Sequence, residues 1–154
     1  MPPLASVGRL ALSQDELVDW GRRLGSQITP PLLVALFGEL GAGKTTLARA
    51  ICDGYGVRAS VTSPTFAIVH TYDAPRSPVH HLDLYRLDGP RDLQNIAWDD
   101  LIEAEALLLV EWPERAGELL PQDHVSIELR HVDGEPDKRV LYAGGYSGHR
   151  MGER

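Results

Sequence analysis

The segment from Gly38 to Thr45 constrains the fold of this chain more than any other feature of its sequence. It reads G-E-L-G-A-G-K-T and satisfies the phosphate-binding pattern G-x-x-x-x-G-K-[ST]. The apolar run Leu32 to Phe37 precedes it directly, and the run Thr46 to Cys52 that follows is typical of a helix. A strand, a glycine-rich loop and a helix in this order predict a nucleoside triphosphate site rather than a turn with a solvated lysine.

Each residue type in this loop has a physical reason. Glycine allows positive φ and close approach, so that successive backbone N–H groups can surround phosphate oxygens at the positive end of the next helix. Lys44 is expected to be partly exposed and to reach the β- and γ-phosphates, and the Thr45 hydroxyl is suited to Mg²⁺. The predicted nucleotide-binding residues of the loop are Gly38, Gly41, Ala42, Gly43, Lys44, Thr45 and Thr46.

Two acidic residues are candidates for binding the metal and for catalysis. Lys44 is a third candidate for catalysis. Glu111 follows the apolar run Leu107 to Val110, and open α/β sheets place their sites where such strands end. Its alternative role is that of a surface carboxylate. Asp83 alternates with leucines in a second predicted strand, and its alternative is a salt bridge with Arg86.

Three further segments each have more than one structural or functional interpretation. Trp112 precedes a proline, which predicts an extended backbone there, and its ring either stacks on the base, buttresses Glu111 or belongs to the core. Ser63 to Phe66 is either a switch loop that senses the γ-phosphate or an ordinary turn. His80 and His81 lack a third ligand at useful spacing, so we interpret them as structural or hydrogen-bonding residues.

The helices have recognisable ends. Ser13 begins a capping box and predicts a helix that ends near Gly25, although Ser13 lining the nucleotide pocket is the alternative. Gly54 and Gly56 are expected to stop the helix after the loop. A short helix is predicted after Pro90 with one apolar side, formed by Leu93, Ile96, Ala97 and Leu101.

Together these elements predict a mixed α/β sheet flanked by helices, in a single domain over residues 1–143. Residues 144–154 have little to bury, and we expect them to form a disordered tail. Two antiparallel hairpins complete the sheet, with strands in the second half of 61–72, in 79–85, in 125–129 and in 138–143.

Composition excludes some classes of function. The net charge is -7, and the chain has no cluster of lysine and arginine of the kind that holds nucleic acid directly. Its one cysteine, Cys52, excludes an internal disulfide and is expected to serve in packing. Neither a membrane span nor a signal peptide is recognisable, so we expect a cytoplasmic protein.

Four motifs in this order resemble the TsaE family, also called YjeE, which are small bacterial ATPases required for threonylcarbamoyladenosine modification of tRNA. They are the loop and its helix start at 38–47, Ser63 to Phe66, the segment His81 to Arg86, and Glu111-Trp112. The resemblance covers roughly Ser13 to Tyr142. One departure is Glu39, where the family usually has aspartate.

This resemblance implies a P-loop NTPase-like fold, ATP and Mg²⁺ as cofactors, and the proteins TsaD and TsaB as partners. It implies contact with tRNA only through that complex. By the same resemblance Thr45 and Glu111 are metal residues, Asp83 is the acid of a His-x-Asp-x-Tyr-Arg motif, and Trp112 lies near the nucleotide. The alternatives are a small-molecule kinase and an ATP-gated interaction module.

Overall fold

The computed structural model describes residues 9–61 and 68–145, so the segment Ser63 to Phe66 and nearly all of the predicted tail lie outside it. The strands are β1 (Arg9–Ser13), β2 (Leu32–Phe37), β3 (Val69–Tyr72), β4 (Val79–Asp83), β5 (Leu107–Glu111), β6 (Val125–Val132) and β7 (Glu135–Gly145). The α-helices are α1 (Gln14–Gln27), α2 (Lys44–Tyr55) and α3 (Trp98–Glu103), and 3-10 helices cover Pro90–Ile96 and Pro113–Leu119.

All seven strands form one mixed sheet in the order β1-β7-β6-β2-β5-β4-β3. The four strands β6, β2, β5 and β4 run parallel to one another. The two predicted hairpins, β3–β4 and β6–β7, are antiparallel, and β1 adds to β7 at the edge. The mixed α/β sheet predicted from the sequence is therefore confirmed. Because β2, β5 and β4 are parallel neighbours, their carboxyl ends meet at one edge of the sheet.

The sheet is buried on both faces in its centre. Helices α1 and α2 cover one face, where Val34 and Leu36 of β2 meet Leu47 and Ile51 of α2. The 3-10 helices and α3 cover the other face, and Leu33 and Ala35 of β2 point into that layer. Successive side chains of a strand face opposite sides, so a strand between two layers must be apolar at every position. This requirement explains the continuous run of apolar residues in β2.

Helices α1 and α2 pack closely because glycines lie where they touch. A Cβ atom added to Gly25 would lie 2.1 Å from the carbonyl oxygen of Ile51, and one added to Gly54 would lie 2.0 Å from that of Arg22. The prediction that Gly54 helps to end α2 is wrong, since Gly54 lies inside the helix and faces α1. Gly56, with φ of 104°, ends α2, and its N–H donates to the carbonyl of Cys52.

Replacing Gly25 by alanine is expected to destabilise the protein by about 2 kcal/mol. Alanine gains about 1 kcal/mol of helix propensity over glycine, but overpacking costs about 1 to 3 kcal/mol or more, and here the methyl group meets backbone atoms that cannot rotate away. Denaturant unfolding monitored by circular dichroism measures the change. Gly89→Ala is the control, because a Cβ there meets nothing within 4 Å. Equal stability of both variants would contradict this packing.

Two backbone conformations differ from the predictions. The single helix expected after Pro90 is divided at Ala97, whose φ of 55° separates the 3-10 helix from α3. This break lets both Leu93 and Trp98 enter the same core layer. Trp112 is left-handed with φ of 56°, so the extended backbone predicted for it is wrong. Strand β7 continues to Gly145, two residues beyond the predicted domain boundary.

Candidate active site

The loop between β2 and α2 forms a cradle of backbone N–H groups. Gly38, Gly41 and Gly43 have φ of 148°, 78° and 106°. Residues with a Cβ atom rarely adopt backbone conformations of this region. At Gly38 a Cβ would also lie 2.8 Å from the carbonyl oxygen of Leu129. Gly43 is the N-cap residue of α2 and has no side chain to cap the helix, so the first N–H groups of α2 remain free for an anion.

Lys44 is more buried than the sequence predicts. Only 5% of its surface is exposed, because its ammonium group folds back onto the loop and donates to the carbonyl oxygens of Gly38 and Glu39. The same Nζ atom lies 4.1 Å from the centre of the Trp112 ring. Burial lowers the pKa of Lys44, and the negative charge of Glu111 opposes that shift. The expectation of a partly exposed lysine is therefore wrong.

Thr45 and Glu111 meet although 66 positions separate them in the chain. The Thr45 hydroxyl lies 3.4 Å from both carboxylate oxygens of Glu111. Glu111 ends β5, and Thr45 lies in the first turn of α2. Only 3% of the Glu111 residue is exposed, so its alternative role as a surface carboxylate is wrong.

Asp83 ends β4 and pairs with Glu111 across the two parallel strands. It accepts a hydrogen bond of 3.0 Å from the backbone N–H of Tyr85. Burial raises the pKa of Asp83, and the nearby charge of Glu111 adds to that shift. No ion pair joins Asp83 to Arg86, although both lie in the described part of the chain. Both acids line one cavity of about 280 Å³ together with Lys44 and Thr45.

His81 lies beneath the two acids. It is completely buried, and its Nε2 atom is 2.6 Å from one carboxylate oxygen of Glu111. The prediction of a hydrogen-bonding residue is confirmed for His81, but its link to Glu111 was not foreseen. His80 faces the other way and is 2.9 Å from the hydroxyl of Thr71. The alternation of β4 puts His81 on the same side as Asp83, and that signal is present in the sequence.

The Trp112 ring closes one side of the cavity. It contacts Lys44 as described and lies 4.8 Å from the ring of Tyr85 at an angle of 55°. The left-handed backbone at Trp112 turns the chain directly after Glu111 and gives the ring this position. Trp112 is partly buried and packs against the core layer that contains Leu33 and Ala35, so of its three predicted roles the structure favours a place in the core.

Arg139 contacts the loop, whereas Ser13 caps α1. Arg139 of β7 donates to the carbonyl oxygens of Gly41 and Ala42 and so holds the outer side of the loop. Nothing in the sequence links residues 97 positions apart, and this contact was missed. Ser13 forms the predicted capping box, in which its hydroxyl accepts from the N–H of Glu16. The role of Ser13 in nucleotide binding stays a prediction.

The oxygen atoms around the cavity fit a magnesium ion that arrives with a phosphate chain. The described residues contain no cluster of three His, Cys, Asp or Glu side chains that could hold a metal alone. Magnesium in phosphate sites is usually held by one or two carboxylates and by the phosphates themselves. The hydroxyl of Thr45 and the carboxylates of Glu111 and Asp83 supply such hard oxygen atoms beside the loop.

Comparison with known proteins decides the family. The sequence model described as "Threonylcarbamoyl adenosine biosynthesis protein TsaE" matches residues 11–140. The chain belongs to the TsaE family. A Streptomyces coelicolor relative named tRNA threonylcarbamoyladenosine biosynthesis protein TsaE is 41% identical over 124 residues, which cover 79% of this chain and 84% of that protein. The Haemophilus influenzae protein of the same name is 35% identical over 66% of this chain, and the match spans 65% of its own length.

A solved structure supports the same assignment of fold. The crystal structure of YdiB from Bacillus subtilis superposes with a TM-score of 0.73 at 26% sequence identity, and the match covers 92% of this chain and 90% of YdiB. The fold is therefore that of a P-loop NTPase-like TsaE protein. The TsaE family acts in biosynthesis of threonylcarbamoyladenosine in tRNA. No helix within the described ranges is long and apolar enough to cross a membrane.

Proposed function

We propose that this TsaE protein binds and hydrolyses ATP within the complex that makes threonylcarbamoyladenosine at position 37 of ANN-decoding tRNAs. In this proposal, hydrolysis resets the partner proteins TsaD and TsaB between turnovers. The observation that carries it is the meeting of Thr45 and Glu111, 3.4 Å apart, beside a loop whose N–H groups can hold phosphate. A glycine-rich turn without this function would not need a buried carboxylate facing the first helical turn.

In this proposal each residue around the cavity has its own role in hydrolysis of the terminal phosphate bond of ATP. The loop N–H groups and the Lys44 ammonium, which here donates to the carbonyl oxygens of Gly38 and Glu39, would bind phosphate oxygens. Thr45, Glu111 and Asp83 would hold Mg²⁺, which supplies positive charge against the charge that develops on the phosphates. Glu111 also orients the attacking water by accepting its hydrogen bond.

The contacts with the base and with tRNA belong to the proposal as well. Trp112, whose ring lies 4.1 Å from Lys44 Nζ, would lie near the nucleotide, and Ser13 at the start of α1 would contact it. The net charge of -7 disfavours direct binding of tRNA, whose phosphates repel an acidic surface. Contact with tRNA is therefore made through the partner proteins.

Replacing Lys44 by alanine is expected to weaken ATP binding by about tenfold or more, because a hydrogen bond to a charged group contributes about 1.5 to 3 kcal/mol. The fold should persist, since the ammonium group contacts loop carbonyls and the Trp112 ring, and Lys44 belongs to neither apolar core layer. Calorimetric titration with ATP in the presence of Mg²⁺ measures the affinity, and thermal unfolding measures the stability.

The matched control is Arg49→Ala, which removes an exposed cation from the same helix. It should leave ATP affinity unchanged. Equal ATP binding by wild type and Lys44→Ala would overturn the assignment of the loop. The same samples, assayed for free phosphate and for phosphoryl transfer to a pool of metabolites, separate an ATPase from a kinase. Transfer without phosphate release would contradict the proposed function.

A further inference from the structure

The contact between His81 and Glu111 points to a role beyond packing, an inference that rests on the proposed function. Both residues are buried, and 2.6 Å separates His81 Nε2 from Glu111 Oε2. A carboxylate without a donor would be costly at this depth, so the histidine compensates for the burial of Glu111. The carboxylate stabilised in this way belongs to Glu111, the residue that we propose holds Mg²⁺ and orients the attacking water.

The pleat of the sheet explains why His81 reaches the acid from below. Asp83 pairs with Glu111 across β4 and β5. His81 pairs with Leu109, two residues further from the carboxyl ends of these strands. His81, Asp83 and Glu111 therefore lie on the side of the sheet that faces α2. Thr45 approaches the Glu111 carboxylate from the loop, and His81 approaches it from the core.

The donor on His81 can be assigned from its partners. Its Nδ1 atom has no hydrogen-bond partner within the described residues, and it is buried. A proton on Nδ1 would therefore lack an acceptor there, whereas a proton on Nε2 is donated to Glu111. One lobe of Glu111 Oε2 is occupied by this hydrogen bond. Both oxygens also lie 3.4 Å from the Thr45 hydroxyl, and Glu111 lines the cavity.

We propose that His81 is a positioning residue, which holds the Glu111 carboxylate in the orientation needed for Mg²⁺ and for the attacking water. His81 itself touches neither. Outer partners of metal-binding carboxylates commonly change metal affinity or activity by about 10- to 100-fold when they are lost. Loss of the His81 donor should therefore raise the Mg²⁺ requirement and lower kcat, while ATP affinity in the absence of Mg²⁺ stays as in wild type.

The test compares His81→Gln with His81→Met. These side chains have similar length, but only the glutamine amide can donate to Glu111. We expect His81→Met to need about tenfold more Mg²⁺ for half-maximal tightening of ATP binding, and His81→Gln to remain within about threefold of wild type. Calorimetric titration of ATP over a range of Mg²⁺ concentrations gives this value without any catalytic assay, and phosphate release gives kcat.

Two controls and one replacement variant make the outcome decisive. His80→Leu changes the neighbouring histidine on the other side of β4 and should have no effect on Mg²⁺ dependence. In a Glu111→Ala background, His81→Met should cause no further change. If His81→Met fails to fold, His81→Asn replaces it, because the shorter amide does not reach Glu111.

Equal Mg²⁺ requirements for wild type and the variant without the donor would overturn the role of His81. Equal losses in His81→Gln and His81→Met would also overturn it, since ring volume rather than the donor would then matter. Failure of the proposed function looks different, because wild type itself would then show no Mg²⁺-dependent binding of ATP.

Discussion

ATP hydrolysis by Glu111→Ala is expected to be lower than that of wild type by about two orders of magnitude or more, which is the usual contribution of a positioned acid or base. The carboxylate is buried, faces Thr45 and is held by His81, so no other described acid occupies the same position. ATP affinity should fall less than the rate, because the loop and Lys44 still hold the phosphates. Phosphate release at saturating ATP and Mg²⁺ measures the effect.

Two further variants separate chemistry from folding. Glu111→Gln removes the charge but keeps nearly the same volume, and it should lose activity with a smaller change in thermal stability than Glu111→Ala. Glu105→Ala removes an exposed acid just before the other end of β5 and should keep full activity. If turnover of Glu111→Ala stays within about twofold of wild type, well under 1 kcal/mol of barrier, the residue is a bystander.

The loop and its flanking elements were predictable because they depend on local chemistry. Buried strands between two layers must be apolar at each position, and this requirement marks β2 and β5 in the sequence. The glycines of the loop are needed for positive φ, which the structure confirms at Gly38, Gly41 and Gly43. Such constraints act within a few residues, so a single sequence reveals them.

Contacts between distant strands were not predictable in the same way. His81 and Glu111 are 30 positions apart, and Arg139 is 97 positions from Ala42. Their meeting depends on the order β7-β6-β2-β5-β4, which no local pattern specifies. Alternation in β4 already placed His81 on the side of Asp83, but only the parallel pairing with β5 shows which acid it contacts.

Local rules failed where tertiary contacts outweigh them. The proline after Trp112 favours an extended residue, and a left-handed residue with a side chain costs about 1 to 3 kcal/mol. Contacts of the ring with Lys44 and Tyr85 offset that cost. Gly54 likewise suggests a helix end, but close packing against α1 keeps it inside α2. Both predictions are wrong at residues whose backbone conformation depends on contacts with another element of the fold.

Docking onto TsaD and TsaB is expected to raise ATP turnover by about three orders of magnitude, the largest effect that the proposal predicts. Among the described residues that line the cavity of the site, Lys44 is the one cation. Arg139 is engaged with the loop carbonyls, and Arg115 lies 5.8 Å from the centre of the Tyr85 ring. We therefore propose that a cationic contact supplied by a partner causes the expected stimulation, and the net charge of -7 favours docking to a basic patch on that partner.

The most direct test of the account is phosphate release from ATP by the purified chain alone, by the chain with TsaD and TsaB, and by the chain with tRNA alone. Glu111→Ala, measured with the partners, reports any ATPase activity that comes from them. We predict slow ATP turnover by the isolated chain, strong stimulation by the two proteins and no stimulation by tRNA. The stimulated rate should be lost in Glu111→Ala. Full activity of the isolated chain, or tight and salt-sensitive binding of tRNA without partners, would contradict it.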